Sequence, residues 1–163
     1  MPDLQFAVPF ANEARRKQFS EAAKDLDIKL PIHYFNGMSR EVMAASDVIL
    51  LASGTAALEA MLLKRPMVAA YRVSFTTYHI ARHLVTVKVF CLPNHLLPEP
   101  EVPEFIQIEI NAEKMGQAVL DYLQNPDKVQ QLTAKFHDVH LQLRKNASDA
   151  AAQAIVDLIN KEH

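Results

Sequence analysis

The stretch that most constrains the fold is residues 48–59, VILLASGTAALE. Residues 48–52 form a short apolar run without a polar break, which is typical of a strand buried on both faces of a parallel sheet. The tripeptide Ser-Gly-Thr at 53–55 interrupts this run, and a helix-forming stretch follows at once at 56–63. This order predicts a strand, a tight turn and a helix whose first N–H groups lie unpaired at the carboxyl edge of the sheet.

The predicted turn has the chemistry of an anion site. Unpaired N–H groups and the helix dipole favour a phosphate, and Gly54 lets the backbone approach it without a Cβ in the way. Ser53 and Thr55 add hydroxyl groups, and Glu59 lies about one helical turn beyond Thr55, where a carboxylate could bind a ribose diol. The same residues also fit an ordinary strand-to-helix turn, with Ser53 as the cap and Glu59 facing solvent.

The composition excludes several classes of function. The chain has 163 residues and a net charge of −2, which fits one globular domain without the basic field of a nucleic-acid-binding protein. No apolar run approaches the roughly 20 residues that span a bilayer, and the first residues lack the features of a signal peptide. The single cysteine, Cys91, fits a reducing compartment and is predicted to be a buried apolar residue within a strand.

The pattern along residues 1–92 predicts a doubly wound, parallel α/β sheet, because strands and helices alternate throughout. The predicted strands are 4–8 (ended by Pro9), 32–35, 48–52, 67–71 and 87–92. The predicted helices are one running from the cap Asn12 to about residue 25, with an apolar stripe of Ala14, Phe19, Ala22, Ala23 and Leu26, then 40–45 capped by Ser39, 56–64, and 75–85.

The rest of the chain divides into a loop and a helical tail. Four prolines lie within residues 93–103, so residues 93–111 are predicted to be an extended loop with one turn of helix at 103–106. Three closing helices follow at 112–123, 127–145 and 150–160, the first capped by Asn111 and the third by Ser148. The predicted organisation is therefore a βα layer (1–92), a proline-rich loop (93–111) and closing helices (112–163).

Metal and nucleophile motifs are weak in this sequence. His79 and His83 are spaced i, i+4 on a predicted helix, but no Glu or Cys stands nearby to complete a metal site, and such pairs are usually solvated. No nucleophile elbow, Walker loop or Cys-x-x-Cys is present. The residues by themselves therefore predict a phosphate- or nucleotide-binding site along the carboxyl ends of the strands.

Four spaced motifs resemble the carboxyl-terminal half of the lipid-A-disaccharide synthases. They are ASGTAALE at 52–59, RPMV at 65–68 with YR at 71–72, LPN at 92–94, and VPEFIQ at 102–107. The closing RKNAS at 144–148 and the Ala-rich helix after it also look like that family's end. The resemblance implies a Rossmann-like domain of a GT-B glycosyltransferase, which pairs two such domains across a cleft.

The resemblance also implies an activity. Members are inverting glycosyltransferases that transfer 2,3-diacylglucosamine from its UDP ester to 2,3-diacylglucosamine 1-phosphate in lipid A biosynthesis. They require no metal or other cofactor and act as peripheral proteins at the cytoplasmic face of the inner membrane. This chain would bind the UDP-2,3-diacylglucosamine donor.

Roles for the residues of the turn follow from the resemblance. Ser53, Gly54 and Thr55 would hold the diphosphate, and Glu59 would hold the uridine ribose. Arg72 would offset phosphate charge, although a surface arginine fits the pattern equally well.

The proline-rich loop is expected to supply three further contacts to the donor. Asn94 resembles the family's Leu-Pro-Asn asparagine and would lie near the donor sugar or its phosphates. Glu104 and Gln107, predicted to lie one turn apart, would contact the donor from the loop. No catalytic residue is assigned.

Departures from the family pattern predict a fragment with little or no catalysis alone. The chain begins at what resembles the second strand of the carboxyl-terminal domain, so an amino-terminal domain and a first βα unit would be absent. Three glycines are few for a complete nucleotide-binding domain. A central strand would be lacking, leaving strands 4–8 and 48–52 either paired directly or separated by a gap, and exposed edges favour association with another chain.

Two other functions remain open from the sequence. The chain could be a non-catalytic nucleotide-binding or assembly module that keeps the α/β layer. It could also belong to another UDP-sugar enzyme of GT-B architecture, such as a 2-epimerase, although the LPN and PEFIQ motifs argue against this.

Overall fold

The computed structural model describes residues 3–24, 30–52, 54–72 and 89–161 of the chain. Its elements are, in chain order, β1 (Phe6–Phe10), α1 (Glu13–Lys24), β2 (Ile32–Asn36), α2 (Ser39–Ala45), β3 (Ile49–Ala52), α3 (Thr55–Leu62), β4 (Met67–Tyr71), α4 (Leu92–Leu96), β5 (Glu104–Ile106), a 3₁₀ turn (Gln107–Glu109), α5 (Ala112–Gln124), α6 (Pro126–Leu143) and α7 (Ala147–Lys161). The predicted helix at 75–85, with His79 and His83, lies outside the described residues.

The described strands form two parallel sheets. One sheet pairs β1 with β2, and the other has the order β3-β4-β5. The α/β class with parallel strands is therefore confirmed, whereas the prediction of one continuous sheet is wrong for the described residues. Of the two predicted arrangements of β1 and β3, the structure has the separated one, because no ladder joins them in these ranges.

Pro9 lies inside β1 and does not end it. The Phe6 N–H donates to the Pro31 carbonyl oxygen on the β2 side at 3.0 Å, so the alternate residues, including Pro9, direct their nitrogen away from β2. On that edge, a missing N–H costs no ladder hydrogen bond to β2. The strand is shifted from the predicted 4–8 to Phe6–Phe10 for this reason.

Two of the four predicted helix caps are confirmed. Asn12 and Asn111 each accept a hydrogen bond at 3.0 Å from the backbone N–H three residues later. Ser39 and Ser148 instead lie inside their helices. The cap before α2 is Met38, in the left-handed region at φ 58°, and α7 already begins at Ala147.

The apolar stripe predicted for α1 is only partly covered. Ala14 and Ala22 are exposed, Phe19 and Ala23 are half-buried, and Leu26 lies outside the described residues. Phe19 packs edge-on against Phe10, with ring centroids 5.6 Å apart. No residue of α1 is fully buried, because the helix packs on a sheet of only two described strands.

The region after residue 88 departs most from the predictions. Its described start, at 89–92, is not a strand: Leu92 begins α4, with Pro93 in the first turn, where proline is favoured. The helical turn predicted at 103–106 is instead β5, which pairs with β4 through Ala69–Glu104 and Ala70–Phe105. The partner strand supplies hydrogen bonds that outweigh the local preference for a helical turn.

The hydrophobic core lies on one face of the three-stranded sheet. Alternate residues Ile49, Met67 and Ala69 are buried there beneath α3, α5 and α6. From α6, Leu132, Phe136 and Val139 enter the core with helical spacing, as predicted; Val129 is partly buried and Leu143 is exposed. The face of α7 carries exposed apolar residues, among them Ile155 and Leu158.

Cys91 is fully buried, as predicted, but it precedes α4 and is not part of a strand. Burial and the nearby charge of Glu104 raise the pKa of its thiol to about 12, so the thiol stays neutral. No helix among the described residues is both long and apolar enough to cross a membrane.

A polar pair joins the end of α3 to α6. Lys64, at φ 58°, places its Nζ 2.5 Å from Nδ1 of His140. Lysine has donors only, so Nδ1 must accept, which requires the neutral imidazole. The charge of Lys64, followed by desolvation and the charges of His137 and Arg144, lowers the pKa of His140 from 6.5.

We expect this pair to make stability depend on pH. A lowered pKa means that the contribution of His140 is complete above its unfolded value near 6.5 and is lost as pH falls through the lower folded value. Urea midpoints between pH 8 and pH 5 should fall less steeply in His140→Gln than in the original chain. The exposed-residue variant His95→Gln should keep the original dependence, and an unchanged slope in His140→Gln would contradict the assignment.

Candidate functional site

The three parallel strands bring three of the predicted site residues to one edge. Gly54 follows β3, Arg72 follows β4 and Gln107 follows β5. The register pairs Tyr71 with Ile106, so the backbones of Arg72 and Gln107 continue neighbouring strands about 4.8 Å apart. The carboxyl edge of this sheet is therefore where the candidate site lies.

The start of α3 lies at this edge and has a glycine cap. Gly54 adopts φ 149° and ψ −153°, a region essentially restricted to glycine. A Cβ at this position would meet no atom within 4 Å, so conformation and not space requires the glycine. Gly54 and Thr55 are exposed, and glycine has no side chain to accept the first N–H groups of α3. Ser53 lies outside the described residues.

Two charged side chains near this start are available to a ligand. Glu59 is exposed on α3, one turn beyond Thr55. Arg72 is exposed just after β4. Neither the carboxylate nor the guanidinium has a hydrogen-bonding or ionic partner among the residues that the structure describes.

Asn94 is used differently from what the sequence predicted. It is 5% exposed, and its Oδ1 accepts hydrogen bonds from the N–H groups of Glu101 and Val102, both at 2.9 Å. Its Nδ2 donates to the Val102 carbonyl oxygen at 2.9 Å and to Glu104 Oε1. The side chain is thus engaged within the protein.

Glu104 and Gln107 do not lie one helical turn apart. Glu104 begins β5 and Gln107 follows its end, so about 10 Å of extended chain separates them. The Glu104 carboxylate accepts hydrogen bonds from the Phe90 N–H, at 2.7 Å, and from Asn94. Gln107 has φ 52°, an uncommon conformation for this residue type, and is 9% exposed.

The sequence reasoning missed an aromatic pair at the same edge. Tyr71, the last residue of β4, stacks on Phe90 with ring centroids 6.3 Å apart and an interplanar angle of 22°. Both rings remain more than a third exposed. Tyr71 stands directly before Arg72 at a predicted strand end, which is the signal that could have identified it. Within the described ranges, no cluster of three or more potential metal ligands occurs.

Comparisons with known proteins identify the family. A family model described as lipid-A-disaccharide synthetase matches residues 1–157. A lipid-A-disaccharide synthase of Alteromonas mediterranea is 48% identical over 158 residues, covering 95% of this chain and 41% of the relative. Those of Hahella chejuensis and Saccharophagus degradans are 45% and 44% identical, with 98% and 97% of this chain covered.

The chain spans about 40% of the length of these relatives. The match nevertheless extends over nearly all of its 163 residues and includes every motif on which the resemblance depended. The chain belongs to the lipid-A-disaccharide synthase family.

Proposed function

We propose that this chain carries the UDP-sugar donor site of a lipid-A-disaccharide synthase. The reaction would transfer 2,3-diacylglucosamine from its UDP ester to 2,3-diacylglucosamine 1-phosphate. The observation that carries this proposal is the open, glycine-capped start of α3 at the carboxyl edge of a parallel sheet in a member of this family. Such an edge is where open α/β sheets bind nucleotides.

The start of α3 would bind the diphosphate. Its first N–H groups and the helix dipole stabilise negative charge, and in a transfer reaction that charge grows as UDP leaves. Ser53 and Thr55 would add hydroxyl donors. Arg72 supplies a positive charge at the next strand end, without a competing acidic partner among the described residues.

Glu59 would bind the ribose of the uridine. Its exposed carboxylate lies one turn along α3 from the proposed diphosphate position, and a carboxylate can accept hydrogen bonds from both hydroxyls of a diol. Gln107 faces the same edge from β5. Asn94 and Glu104 would support the site from within the protein and not through contact with the donor.

The acceptor side of the reaction would come from sequence that the longer relatives have in addition. The chain covers about 40% of their length, and GT-B enzymes close two domains around donor and acceptor. We therefore infer donor binding without efficient transfer by this chain alone. A non-catalytic module would bind UDP in the same way but would not restore transfer when the remaining domain is supplied in trans.

Calorimetric titration with UDP tests the donor site. Glu59→Ala should weaken UDP binding by about tenfold, because a hydrogen bond to a charged group contributes about 1.5–3 kcal/mol. The exposed-residue variant Glu21→Ala, which makes the same charge change on α1, should bind UDP as the original chain does. Equal affinity in both variants would remove Glu59 from the site, and failure of the original chain to bind UDP would refute the proposed function.

A further inference from the structure

A buried polar pair, Asn94 and Glu104, connects the parts of the candidate site that follow β4 and β5. An Asn side chain has two N–H donors and two acceptor lone pairs, and Asn94 makes four hydrogen bonds within the protein. A contact from Asn94 to the donor would have to replace one of these buried bonds. The amide is therefore committed to the protein itself.

Glu104 passes this constraint on to the edge of the sheet. Its Oε1 accepts from Asn94 and its Oε2 accepts from the backbone N–H of Phe90. Phe90 in turn stacks on Tyr71, the residue before Arg72. One carboxylate thus sets the position of the segment that carries the aromatic pair.

Glu104 also begins β5, which has only three residues. A strand this short has few ladder hydrogen bonds to β4, so its position depends on what anchors its start. Asn94 supplies that anchor by bonding to both backbone groups of Val102 as well as to Glu104. Gln107, just past the end of β5, lies opposite Arg72 as a consequence.

We propose that Asn94 and Glu104 are positioning residues of the donor site, which hold Phe90 and Gln107 at the carboxyl edge without touching the donor. This inference rests on the proposed function, since it concerns the same site. It assigns to the LPN and PEFIQ motifs a joint role: the asparagine of one and the glutamate of the other form a single hydrogen-bonded unit.

A polarity exchange between the two residues tests the unit. In Asn94→Asp, two carboxylates would face each other, so UDP affinity should fall about tenfold at pH 8. The affinity should recover toward pH 5.5, where the two carboxylates share a proton. In Asn94→Asp/Glu104→Gln, the new amide can donate to the new carboxylate and still accept from the Phe90 N–H, so most of the affinity should return.

A control separates positioning from a general loss of stability. Leu132→Ala removes a buried side chain of α6, outside the site, and should lower the unfolding midpoint while leaving UDP affinity unchanged at a temperature where the chain is folded. The exposed-residue variant Glu99→Gln, in the same loop, should change neither property.

The outcomes are distinguishable. If the original chain binds UDP but the double variant binds as weakly as Asn94→Asp, and acid restores nothing, Asn94 contacts the donor directly and the positioning role is wrong. If Leu132→Ala weakens UDP binding as much as Asn94→Asp does, the effect is one of stability and the positioning role is again refuted. If the original chain does not bind UDP, the proposed function itself fails and donor positioning fails with it. Recovery in the double variant supports the proposal.

Discussion

Gly54→Ala is expected to weaken UDP binding by about 10- to 100-fold, because the turn before α3 uses a backbone conformation that alanine rarely adopts. Gly54 has φ 149° and ψ −153°. Holding a residue with a Cβ there costs about 1–3 kcal/mol, and the turn can avoid this cost only by moving the first N–H groups of α3. Since these groups are the proposed diphosphate ligands, the loss should appear in UDP affinity measured by calorimetry.

Gly116→Ala is a matched control for this variant. A Cβ added at either glycine meets no atom within 4 Å, so the two variants differ in backbone conformation and not in crowding. Gly116 lies within α5, where alanine is favoured over glycine by about 1 kcal/mol. We expect unchanged UDP affinity and slightly raised stability in Gly116→Ala. Equal UDP affinity in the two variants would show that the conformation of Gly54 is not needed for the site.

Phe136→Ala is expected to cause the largest loss of stability, about 3–5 kcal/mol. Phe136 is fully buried in the cluster that joins the three-stranded sheet to α3 and α6. Removing its ring leaves a cavity that the surrounding side chains fill only in part. Urea unfolding followed by circular dichroism should show the loss as a lower midpoint.

The same helix offers the comparison for the core variant. Leu141 is 54% exposed on α6, so Leu141→Ala should change the free energy of unfolding by no more than about 0.5 kcal/mol. A similar loss in both variants would mean that the described core does not hold the helix to the sheet.

Local features of the sequence were read correctly where short-range interactions decide the structure. The caps Asn12 and Asn111 bond to N–H groups only three residues away, and β4 has the predicted bounds. The strand, turn and helix at 48–59 follow from an apolar run and a glycine that lie next to each other in the chain. The roles of the site residues stay predictions, since none of the comparisons tests them.

Residues 93–111 show where the sequence was insufficient. Pro103 and Glu104 favour the first turn of a helix locally, yet residues 104–106 are a strand because β4 lies beside them. For the same reason Glu104 and Gln107 are not neighbours on a helix face. Pro9, which locally ends a strand, is accommodated because its nitrogen points away from β2.

The sequence by itself determined the family, the α/β class and the glycine-capped helix start, because motif spacing and turn chemistry are properties of adjacent residues. Only the tertiary structure decided that the described strands form two sheets and that Asn94 is consumed by internal hydrogen bonds. It also placed Arg72 and Gln107 at one edge. These features depend on hydrogen bonds between segments distant in the chain, which no local pattern specifies.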